Sequence, residues 1–175
     1  GNENYVDFYL NLRALFNRLG HWHRAGRIIG IFLKMSRQRN DWYSLAQFHI
    51  QQAKFKLLQG DFSGAEEILL RTKETISKIE KTFDRNRTEA MRLNTLGGVY
   101  QRQGNFDEAV KAFHQSAEIE KEIDNKRGQA MVLNSLGGVY QRQGNFDEAV
   151  KAFHQSYELL VELADERGQA MVLNS

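Results

Sequence analysis

The 175-residue chain contains no cysteine and no proline. Without thiols there are no disulfides, thiolate metal sites or cysteine nucleophiles. Without proline the usual helix-stopper is missing, so glycine, asparagine and aspartate must supply the punctuation. No apolar run approaches the ~18 residues that suggest a membrane-spanning helix, and no basic-then-apolar leader opens the sequence. The expectation is a chain that neither spans a membrane nor carries a secretory signal, in a reducing, cytoplasmic setting. Excess charge is also missing: 24 Lys+Arg against 22 Asp+Glu leave +2, which excludes a whole-chain basic footprint for nucleic acid. What is present is an ordinary apolar share of 41 %, enough for a core, and 14 glycines.

The glycines recur with a period. Residues 96–116 return unchanged at 136–156, and 87–95 align with 127–135 and with 167–175, each displaced by 40. Fainter copies precede them: Gly20 and Ala25 match Gly60 and Ala65, then Gly104 and Ala109, then Gly144 and Ala149. The organisation expected is one array over 1–175, with repeats at about 1–40, 41–86, 87–126 and 127–166 and a truncated fifth at 167–175.

Each repeat reads as two helices. Ala90, Leu93, Leu96, Gly97 and Tyr100 fall on one helical face. Gly104 then suits the left-handed residue after a helix, and Asn105 with Glu108 suits a capping box for the next. The second helix buries Phe106, Ala109, Val110, Phe113, Ser116 or Ala117, and Ile123. Asp124-Asn125 closes the unit and can cap the following helix. Sustained alternation is absent, so no strands are expected. Short-looped helix pairs in series predict an all-α fold, an α-solenoid of antiparallel helix-turn-helix repeats. The second and third repeats are spaced by 44 residues rather than 40, one extra helical turn. It is expected to lengthen the helix running from Asp61 to about Phe83.

Leu96, Gly97, Tyr100, Gly104, Ala109, Phe113 and Ser116, and again Leu136, Gly137, Tyr140, Gly144, Ala149, Phe153 and Ser156, resemble the tetratricopeptide repeat. Two departures are a period of 40 rather than about 34 and the missing terminal proline. The unit is similar to the longer-helix variants in kinesin light chains and in sensor arrays of bacterial signalling ATPases. The resemblance implies a right-handed superhelix, with first helices lining a concave groove for a protein partner or extended peptide. It further implies a scaffolding or signal-transduction segment of a larger protein.

Beside the core face of the first helices lie Asn94, Gly98, Gln101 and Arg102, with Met91 and Thr95 further round. Their copies are Asn134, Gly138, Gln141, Arg142, Met131 and Ser135, and Asn174 begins a third rung. An asparagine offers a donor and an acceptor, so this ladder can grip a peptide main chain. The matching upstream positions are Leu10 and Ile50, which makes the later repeats the more polar. Gly97 and Gly137 are expected to let paired helices approach, meeting Ala109 and Ala149. Gly98 and Gly138 either keep the groove shallow or admit the neighbouring repeat.

Chemistry is not signalled. Gly97-Gly98 lacks the Lys-Ser/Thr of a phosphate loop, and Asp107-Glu108 and Asp147-Glu148 suit a helix first turn. His114, His154 and His21-Trp22-His23 have no second ligand at useful spacing. The expectation is no enzyme, no catalytic residue, no metal and no cofactor. Two other readings compete with peptide binding. Residues 1–60 carry a balance of +6 (nine basic, three acidic) through Arg13, Arg18, Arg24, Arg27, Lys34, Arg37 and Arg39, which could serve RNA, although nucleic acid is the less favoured partner. And where the third repeat has Ala117, Glu120 and Lys121, the fourth has Tyr157, Leu160 and Val161, apolar side chains suited to burial against a following repeat or to self-association.

Overall fold

The computed structural model of the chain describes residues 22–174. Leu10, Arg13, Arg18, Gly20 and His21 lie outside the described residues, as do the side chains of Arg24 and Ala25. Among the described residues there are eight helices and no strand: α1 (Trp22–Gln38), α2 (Trp42–Leu58), α3 (Phe62–Ser77), α4 (Thr82–Gln103), α5 (Phe106–Glu122), α6 (Lys126–Gln143), α7 (Phe146–Glu162) and α8 (Glu166–Leu173). The all-α repeat fold expected from the periodicity is the fold observed. The described residues divide into two compact units, one up to Thr88 and one from Glu89.

Local chemistry sets the helix ends. Asp41, Asp61, Asn125 and Asp165 each accept a backbone N–H three residues on, at 2.9–3.1 Å, supplying the bond a first turn lacks. Gly104 and Gly144 adopt φ of 82° and 79°, the left-handed turn the sequence predicts. The expected capping box does not form. Asn105 and Asn145 occupy the cap position without a side-chain cap bond; Glu108 and Glu148 pair instead with Lys111 and Lys151.

The extra turn also lies elsewhere than expected. The helix beginning after Asp61 stops at Ser77, and α4 has 22 residues where its copy α6 has 18. The added four residues therefore extend the first helix of the third repeat. Ile79, 5 % exposed, drops into a cluster with Ala46 and Ile76 against Trp42 and Tyr43. That burial takes the chain out of the helix before it can run to Phe83.

In the first unit, α2 packs on α1 and α3, around Ile29 and Phe48 with the Phe32 and Phe48 rings stacked at 4.9 Å. His49 of α2 stands where later repeats have Leu93 and Leu133. It is half-buried, and Nδ1 is buried without a hydrogen-bond partner. Burial, and then the charge of Arg37, hold the imidazole below its ordinary 6.5. Proton uptake thus favours the unfolded chain: this contribution is complete above about pH 6.5 and is lost as pH falls through that value towards the lower folded one. Stability by urea denaturation should fall more between about pH 7.5 and 5.5 for the native chain than for His49→Leu; parallel curves would contradict this.

In the second unit, α6 lies between α5 and α7, which demands two apolar stripes. Leu136 and Gly137 form one, as expected, while Val132 and Val139 form another. Ser116 and Ser156 are more than small residues: their hydroxyls donate to the carbonyls of Ala90 and Ala130 at 2.8 and 2.7 Å, tying each second helix to its first.

Candidate functional site

Helical spacing places Asn94, Gly98 and Gln101 along one stripe of α4, and Asn134, Gly138 and Gln141 along the same stripe of α6. The stripes adjoin: a Cβ built on Gly138 would lie 3.7 Å from Gln101 Nε2. Asn94, Gly98, Gln101, Asn134 and Gly138 are half-buried, whereas Arg102, Gln141 and Arg142 are exposed. Met131 is exposed and Met91 half-buried. Thr95 and Ser135 turn their hydroxyls back to the carbonyls of Met91 and Met131. Ile50, the upstream counterpart, is fully buried.

Two features distinguish this face. A Cβ at Gly98 would meet nothing within 4 Å, so no neighbouring helix fills the space beside it. And the Asn134 side-chain carbonyl Oδ1 is closed off from solvent without a hydrogen-bond partner. An unpaired buried acceptor costs about 1–3 kcal/mol. Nothing in the sequence signals it, because Asn94 occupies the same place in the preceding repeat. Asn174, the third rung, caps α8 at its C-terminus, and its Nδ2 donates to the Ala170 carbonyl at 2.7 Å.

The paired glycines differ in purpose. At Gly97 and Gly137 a Cβ would stand 2.7 and 2.5 Å from the rings of Phe113 and Phe153. The nearest neighbour across the helix pair is therefore the phenylalanine ring in each case. Of the apolar substitutions in the fourth repeat, Leu160 is 2 % exposed and packs with Ala130 and Val172 inside the same unit, with Tyr157 partly buried beside it. The α8 helix thus buries part of its own face, and Leu160 is unavailable to another chain; Val161 remains exposed.

His114 Nε2 lies 3.0 Å from the Tyr140 hydroxyl, and His154 Nδ1 lies 3.5 Å from Glu158. Among the described residues no three His, Cys, Asp or Glu side chains gather where a metal could bind, and no helix is long and apolar enough to cross a membrane. Arg27, Lys34 and Arg37 of α1 and Arg39 just after it are exposed.

Paired helices tied by a glycine–phenylalanine contact, capped by Gly-Asn turns and repeated, define a helical-repeat protein. Residues 87–160 match the tetratricopeptide-repeat family model, and this segment is a tetratricopeptide-repeat array. No curated protein matches the chain by sequence. Many solved structures share its fold, and three illustrate it. A Rap protein complexed with competence and sporulation factor is 16 % identical with a TM-score of 0.84, over 98 % of this chain and 47 % of that one. A signal transduction ATPase with a tetratricopeptide repeat sensor, from Pyrococcus horikoshii, is 16 % identical with a TM-score of 0.75, over 95 % and 25 %. A putative kinesin light chain from Podospora anserina with nearly identical repeats is 17 % identical with a TM-score of 0.69, over 97 % and 86 %. The chain thus spans under half of the Rap protein and a quarter of the ATPase. Tetratricopeptide repeats generally mediate protein–protein interactions and are generally non-enzymatic scaffolds.

Proposed function

We propose that the polar stripe of α4 and α6 is a binding face for an extended peptide segment of a partner protein, held chiefly through its main chain. The observation that carries this reading is the open surface at Gly98, on a stripe that also bears Asn134, whose Oδ1 has no hydrogen-bond partner. A turn of the Asn134 side chain on binding brings Oδ1 to a peptide N–H, the donor it lacks, and removes the cost of leaving that bond unmade. The glycines leave room for a backbone to approach, and Gln101 adds both a donor and an acceptor. Arg102 and Arg142 border the stripe with positive charge, suited to carboxylates on the bound segment. The likeness to a Rap protein solved in complex with a factor is consistent with a ligand-binding array.

Peptides selected for binding from a random library test this. Asn134→Ala should weaken a selected peptide at least about tenfold, or ~1.4 kcal/mol, without altering the melting temperature downward. N-methylating the peptide amide that contacts Asn134 should do the same, while most peptide side chains tolerate replacement. Unchanged affinity for Asn134→Ala would remove the reading.

A further inference from the structure

The outer face of α1 differs from those of α3 and α5, which occupy the same place in later repeats. Helical spacing sets Arg27, Gly30, Ile31, Lys34, Arg37 and Gln38 on one side of α1, and all six are exposed. Residues 22–38 contain no aspartate or glutamate, so nothing on this helix offsets the three cations. The matching positions carry both signs elsewhere: Glu67, Arg71 and Glu74 on α3, and Lys111, Gln115 and Glu118 on α5. On α3 the face neutralises itself, with Arg71 paired to Glu67 at 2.7 Å. These later positions are exposed as well, although α3 and α5 have repeats before and after them in the chain. Exposure therefore belongs to the position within the repeat. Two further features of α1 have no purpose inside the fold. Ile31 is 58 % exposed between Arg27 and Lys34. Gly30 weakens the helix relative to other residues, yet a Cβ built on it would meet nothing within 4 Å, so packing does not require the glycine.

We propose that this face of α1 docks an acidic amphipathic helix of a partner protein. The partner lays an apolar side chain on Ile31, brings its backbone close at Gly30, and offers carboxylates to Arg27, Lys34 and Arg37. Charge and shape both point to that occupant. Arg27, Ile31, Lys34 and Gln38 run at i, i+4, i+7 and i+11, the spacing along which one helix meets another. Three cations with no acid among them attract carboxylates and repel a basic helix. RNA would use the cations alone: an aliphatic side chain offers a phosphate nothing, and none of the six residues is aromatic to stack a base. The face shares no residue with the stripe of α4 and α6 and stands independently of that reading.

The test selects from a library of helical peptides, randomised on one face, those that bind the full chain but not Ile31→Glu. The survivors should carry leucine, isoleucine or methionine flanked by aspartate or glutamate at helical spacing. By fluorescence anisotropy, Arg27→Gln with Lys34→Gln should weaken each at least about tenfold and flatten its salt dependence. Gly30→Gln should weaken it by the same factor while melting no lower than the native chain, because glutamine favours a helix over glycine. Ile31→Glu should also keep the native melting temperature, since the side chain is exposed. Asn134→Ala should leave these peptides unaffected. A library that yields no survivor, survivors without acidic residues, or survivors indifferent to Gly30→Gln overturn the proposal. So do an oligouridine that binds at about 0.15 M salt and is lost with Arg27→Gln and Lys34→Gln, and a dimer of the chain alone that Ile31→Glu abolishes.

Discussion

Truncating Phe113 to alanine should destabilise the second unit by about 3–5 kcal/mol. The side chain is 2 % exposed and sits among Ala109, Val132, Leu136, Val139 and Ala152, where little can collapse into the space left behind. The neighbouring glycines sharpen the test. Gly97→Ala would push a methyl to 2.7 Å from the ring, and since that ring is locked in the core, overpacking of about 1–3 kcal/mol outweighs the helix-propensity gain of about 1 kcal/mol. Gly98→Ala meets no atom and should stabilise by about that same 1 kcal/mol. In a Phe113→Ala background the sign at 97 should reverse, because the new methyl enters the void instead of the ring. A double-mutant cycle by chemical denaturation reads this coupling. Additive effects at 97 and 113 would show that the ring does not impose the glycine.

The second large effect concerns a buried charge. Arg92 has a side chain 5 % exposed and is held by Glu89 in a bidentate pair, Nε to Oε2 at 2.8 Å and Nη2 to Oε1 at 2.6 Å. Glu89→Ala removes the carboxylate and leaves the guanidinium buried without it, a loss of about 3 kcal/mol, the low end of the usual range because Glu89 is itself partly exposed. The corresponding residues in other repeats are Phe48, Val132 and Val172, and Gln129 stands in place of Glu89. The double change Glu89→Gln with Arg92→Met should therefore be neutral or stabilising, despite removing an ion pair. A double variant as unstable as Glu89→Ala would mean that Arg92 does more here than fill an apolar position.

Both predictions rest on features that divide unevenly between sequence and structure. The repeat, the two-helix unit, the left-handed glycines at 104 and 144, and the Asn125 cap were legible because each depends on residues within a few positions of one another. The stripe of asparagines and glycines was legible for the same reason. Its consequence was not: Asn94 and Asn134 are the same residue at the same repeat position, and the unpaired acceptor belongs to Asn134 through its neighbours in space. The helix expected to run to Phe83 ends at Ser77 because Ile79 finds an apolar cluster. The second buried stripe of α6 appears because that helix has a partner on each side.

The missing prolines and recurring glycines by themselves determined an array of helix pairs, since turn conformation and helical periodicity are local properties of the chain. Tertiary structure alone decided which faces of that array are occupied. Asn94 and Asn134 occupy the same place in closely matching stretches of sequence, yet among the described residues it is the Asn134 carbonyl that is closed off without a partner. Burial depends on what lies opposite a side chain, and no stretch of sequence states what lies opposite it.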